Sequence, residues 1–209
     1  NLYANQAQMD IFEQYFYDLN QFLKVPGNDT LYADPVTILQ DKIELFHASH
    51  AFSNTPPSNI FNLNDVTDGD VYRLGQVRYN NAALGYGVDV ERSNHKQLMI
   101  ARNTPLGKPT LSRPTYYMKD TRLIVQPNTI SAIDINYIRK PLKVKWAYTV
   151  LRGKAMYNGT NSVHFELHDS EETDLVINIL ELAGITMDDS ALYQMASTEN
   201  TENIQQEKR

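Results

Sequence analysis

Cysteine is absent from the 209 residues, which excludes disulfides, thiolate zinc sites, iron–sulfur clusters and cysteine nucleophiles. No apolar run approaches the ~20 residues that span a bilayer. Residues 1–18 lack the basic stretch and apolar block of a secretory signal. Basic residues are in deficit: 19 lysines and arginines face 25 carboxylates, a net charge of −6. Tight DNA binding draws on the opposite balance, because phosphate neutralisation drives it. An acidic wall, by contrast, lets DNA slide past without sticking. The expectation is a chain made in a cytoplasm, with no membrane segment. It is large enough to bury roughly 70% of its unfolded surface without a metal.

What is present changes period twice. Met9, Phe12, Tyr15, Phe16, Leu19, Phe22 and Leu23 recur at three- and four-residue spacing and predict a first helix. Asp34-Pro35 reads as a helix start, followed by an apolar stripe of Val36, Leu39, Ile43 and Phe46 that should end by about His50. Short β-type runs follow over 71–79, 87–91, 97–101, 115–118, 122–126, 131–138 and 145–150. The clearest, Ile133-Asp134-Ile135-Asn136-Tyr137, alternates strictly. Three prolines within 105–114 predict an extended arm or edge loop. Helix returns near Asp169, which with Glu172 resembles a capping box, and should close at Gly184. A further short helix is expected over 190–196, then a polar tail. The fold class is therefore α+β: a helical bundle of N- and C-terminal helices (1–62 and 166–196) in one layer, an inserted antiparallel β-sandwich or barrel-like segment (63–165) protruding from it, and a tail over 197–209.

Chemistry is sparse. His47 and His50 lie three apart on the expected second helix, near Glu44, but no further ligands are marked out, so surface histidines are the simpler account. His164 and His168 flank a segment leading into the last helix. Asp65, Asp68 and Asp70 lack the spacing of a calcium loop and read as a solvated turn. Gly85-Tyr86-Gly87 is too short for a phosphate loop. No catalytic, metal or cofactor site is expected, and the chain is not expected to be an enzyme. One basic stretch stands out: Arg139, Lys140, Lys143, Lys145, Arg152 and Lys154, with Tyr137, Trp146 and Tyr148 among them. It fits contact with DNA or an acidic neighbour, or simply a solvated strand face.

Three segments carry a resemblance. They are Tyr72-Arg73-Leu74-Gly75-Gln76-Val77-Arg78-Tyr79; Tyr137-Ile138-Arg139-Lys140-Pro141 with Trp146 following; and Phe165-Glu166-Leu167-His168-Asp169-Ser170-Glu171-Glu172 leading into Leu180-Glu181-Leu182-Ala183-Gly184-Ile185. With the prolines around Lys108-Pro109 and Ser112-Arg113-Pro114, this resembles virion structural proteins of crAss-like phages, among them a neck ring protein of the head–tail connector. The resemblance covers roughly residues 71 to 205. It implies a ring of roughly twelve copies below the portal, joining capsid to tail around the DNA channel. The implied partners are further copies, the portal, other neck and tail rings, and DNA passing without sequence-specific binding. On that reading Leu175, Ile179, Leu180, Leu192, Tyr193, Lys108 and Arg113 serve subunit or portal contacts. Arg139, Lys140, Lys143 and Lys145 meet DNA or an acidic partner. The protein would be assembled in the host cytoplasm and reside in the virion. The alternative from another class is a tail-associated receptor- or glycan-binding module.

Overall fold

The computed structural model describes residues 1–24, 35–81, 86–187, 194–195, 197–199 and 201. Its first elements are α1 (Leu2–Phe22), α2 (Pro35–Glu44), β1 (His47–Ser53), β2 (Ile60–Asn62), β3 (Val71–Asn81), β4 (Tyr86–Asp89) and β5 (Glu91–Arg92). There follow α3 (His95–Arg102), β6 (Thr115–Lys119), β7 (Arg122–Gln126), β8 (Ala132–Arg139), β9 (Tyr148–Leu151), β10 (Lys154–Tyr157) and α4 (Glu172–Met187). The class is α+β, with antiparallel sheets and no closed barrel among the described residues. Two compact units form: Asn1–Leu45 with Pro141–Arg209, and Phe46–Lys140. The chain therefore passes between units at 45/46 and 140/141, whereas the sequence placed these passages at 62/63 and 165/166.

In the first unit α1 buries Ala7, Gln8, Ile11, Phe12 and Tyr15, a stripe at three- and four-residue spacing. That stripe packs against α2 and α4. Leu39 and Ile43 of α2 and Leu175 and Ile177 of α4 are buried with it. An ion pair between Lys42 and Glu171 ties α2 to the turn before α4, and the Lys42 ammonium also lies 5.6 Å from the centre of the Tyr15 ring. The N-terminal cap is His168, whose Nδ1 accepts from the Ser170 N–H at 3.2 Å, and not Asp169. A short 3₁₀ turn, Asp169–Glu171, precedes α4 and moves the cap one residue earlier. Gly184, expected to close α4, is buried inside a helix that runs on to Met187.

The second unit holds two four-stranded sheets, ordered β1-β8-β3-β4 and β2-β7-β6-β5. Only β5 and β6 pair parallel. Both sheets feed one core: Phe52, Val77, Ile133, Ile135 and Tyr137 from one, Phe61, Tyr116, Leu123 and Val125 from the other. Central β8 follows the alternation read from sequence, burying Ile133, Ile135 and Tyr137. Beside it β3 is bulged, and Gly75 sits where an added Cβ would stand 2.9 Å from the Asn136 carbonyl oxygen.

Two elements differ in type from expectation. The second helix stops at Glu44, and His47–Ser53 is strand β1, paired along its length with β8. Alanine and serine give this stretch no strong local preference, and pairing with β8 decides it. Residues 97–101 belong to helix α3, not a strand. Asn94 opens α3, with its N–H donating to the Gln97 side chain at 3.3 Å. Only Leu98 of α3 is buried. The expected cap Asp34, Gly85 and most of the 190–209 segment lie outside the described residues.

Candidate interaction surface

Residues 141–163 build the most exposed apolar surface of the first unit, and α1 positions its base. Asn5 presents both ends of its carboxamide to one backbone residue. Its Nδ2 donates to the Val144 carbonyl at 3.0 Å, and its Oδ1 accepts the Val144 N–H at 2.6 Å. One turn earlier, Asn1 Oδ1 accepts the Trp146 N–H at 2.8 Å. One turn later, Gln8 Nε2 donates to the Leu142 carbonyl at 2.9 Å while its Oε1 accepts the Glu166 N–H at 3.2 Å. The spacing works because four helical residues rise about 6 Å and two extended residues about 6.6 Å, so the two ladders stay nearly in step. The opposite edge of the segment pairs Lys145 with Val163, at 3.1 and 2.9 Å. Alternation then places Val144 inward, buried, and sends Lys143 and Lys145 to the exposed face.

Beyond this anchored base stands the hairpin β9–β10. Arg152 (φ 51°) and Gly153 (φ 79°) both adopt left-handed backbone at its turn, as a two-residue primed turn requires. Register pairs Tyr148 with Tyr157 and Val150 with Ala155 on one face, and Thr149 with Met156 and Leu151 with Lys154 on the other. Tyr148, Val150, Leu151, Met156 and Tyr157 are each 52–65% exposed. Trp146 at its foot lies 5.7 Å from Tyr148 between ring centres. On α4, Glu172, Val176 and Leu180 follow one another at four-residue spacing, and Val176 and Leu180 are 51% and 42% exposed.

The residues singled out from sequence fall in different places. Leu175 is buried in the first unit's core, Ile179 is half-buried, and Leu180 faces outward. Leu192 and Tyr193 lie outside the described residues. Lys108 and Arg113 are exposed in the second unit, on a succession of turns rather than an extended arm: Gly107 N–H donates to the Thr104 carbonyl, and Thr110 pairs with Arg113. Leu106 there is 97% exposed. The basic stretch is divided between units. Arg139 and Lys140 end β8, with the Arg139 guanidinium 5.9 Å from the Phe46 ring. Lys143, Lys145, Arg152 and Lys154 belong with the hairpin.

The histidine pair loses its geometric basis, since positions three apart on a strand face opposite ways. His47 is exposed, and His50 packs edge-on against Phe52, 4.6 Å away. Among the described residues no group of three or more His, Asp or Glu side chains could hold a metal. No helix among them is long and apolar enough to cross a membrane.

Sequence reasoning missed the sorting of charge along the chain. Residues 92–165 hold thirteen lysines and arginines against two carboxylates, Asp120 and Asp134; residues 166–209 hold eleven carboxylates against two cations. The amides at 1, 5 and 8, spaced as one helix face, were the legible signal for the ladder. Compared with known proteins, the chain matches no family model and no curated protein.

Proposed function

We propose that this chain is a non-catalytic structural subunit of a phage head–tail connector ring, lying in the virion below the portal. There, roughly twelve copies would surround the DNA channel and join capsid to tail. The observation that carries the reading is the apolar surface gathered on the β9–β10 hairpin and the outer stripe of α4, in a chain whose charge is sorted into blocks. Exposed apolar patches of this kind mark surfaces that become covered on assembly. The α+β class and the three segments shared with crAss-like neck proteins support it further. The net charge of −6 suits a channel wall that must not hold DNA. Electron microscopy of intact particles tests the proposal: density of this fold in a closed ring beneath the portal is the expected outcome. Density on peripheral fibres, or none in the particle, overturns it.

A second reading, a tail-associated glycan- or receptor-binding module, is favoured by the exposed Trp146–Tyr148 pair, since paired aromatic faces suit sugar stacking. Binding on a glycan array that is lost in Trp146→Ala would support this reading over the first.

A further inference from the structure

We propose that the β9–β10 hairpin of one copy seats on the outer face of α4 of a second copy. The inference rests on the ring-subunit reading and names the contact that would close the ring. A two-stranded ribbon standing alone is marginal in water, and this one leaves all eight strand residues exposed. Its Tyr148, Val150, Ala155 and Tyr157 face is apolar from base to tip. Its tip carries Arg152 and Lys154, which have no ion-pair partner among the described residues.

Charge selects the occupant. The hairpin stands at the end of the cationic stretch of the chain, and α4 opens the acidic one. On α4 the exposed apolar stripe of Val176 and Leu180 is headed by Glu172 and, one turn before it, Asp169, both exposed. An apolar strip with cations at one end thus meets an apolar strip with carboxylates at one end. Both lie on the same chain, so each copy offers one of each. The contact is heterologous, and repetition of it closes a ring or builds a filament. Opposed charge also fixes the polarity of docking, because tip-to-tip or helix-to-helix pairing would set like charges together.

Sedimentation velocity on the full chain tests the seat with two charge-reversed variants. One carries Arg152→Glu and Lys154→Glu, the other Asp169→Lys and Glu172→Lys, each checked for native circular dichroism. The native chain is expected to self-associate. Each variant alone should associate about tenfold or more weakly, and an equimolar mixture should recover association, because the reversed tip fits the reversed helix. Where the helix variant fails to fold, Leu180→Ser, remote from the cap, takes its place and should weaken association alone. Closed native oligomers that survive in both variants overturn the seat and leave the ring reading standing. Native pairs that the variants dissociate support the seat and remove the ring. A native chain that stays monomeric at every concentration overturns the seat.

Discussion

Two tyrosine hydroxyls are held in the neutral form by the second unit's core. Burial pushes Tyr137 above its ordinary 10.0, helped by the negative charge of Asp68 and opposed by Arg139. Burial also raises Tyr116, against the opposing charge of Arg92. The folded chain therefore keeps these protons at a pH where the unfolded chain has lost them. The stability this contributes is complete below about pH 10 and is lost as pH rises through the folded values. Urea unfolding between about pH 8 and 11 should show a falling alkaline limb, and Tyr116→Phe with Tyr137→Phe should flatten it. In the first unit, Lys42→Met leaves the Glu171 carboxylate buried without its cation and should cost about 3 kcal/mol. Adding Glu171→Leu should return most of that loss, and a double-mutant cycle by urea unfolding measures the difference.

At the scale of elements, the amide ladder replaces a strand with a helix edge. Asn5 does for Val144 what a neighbouring strand would do, satisfying its N–H and C=O together. Asn5→Ala should leave both groups of a buried residue unpaired and cost about 1–3 kcal/mol, read from the urea midpoint with the slope unchanged. How much was legible from sequence follows from where each element takes its stability. Helix α1 and strand β8 are specified by their own period, so Phe12, Tyr15, Ile133 and Ile135 could be placed in advance. Strand β1 and helix α3 are not. His47–Ser53 owes its form to pairing with β8, and α3 owes its own to Asn94, Gln97 and one buried leucine. Hairpin β9–β10 was half visible: its first strand was read within 145–150, while Lys154–Tyr157 lacked an apolar period. That the ribbon stands uncovered cannot be read from a local pattern, because Tyr148 and Val150 are equally apt for a core.

For the whole molecule, the net charge conceals its arrangement. The sequence pI of about 5.3 predicts no retention on a cation exchanger at neutral pH. The cationic block over 92–165 should retain the chain at low salt all the same, and Arg152→Gln with Lys154→Gln should elute earlier. The rungs between α1 and residues 142–146 carry no formal charge, and the Lys42–Glu171 pair is shielded by burial. Contacts made through Arg152 and Lys154 are open to screening. Brine strong enough to part neighbouring copies would therefore release them still folded, each with its ribbon held in place by Asn1, Asn5 and Gln8. Dilution alone would then suffice for them to reassemble.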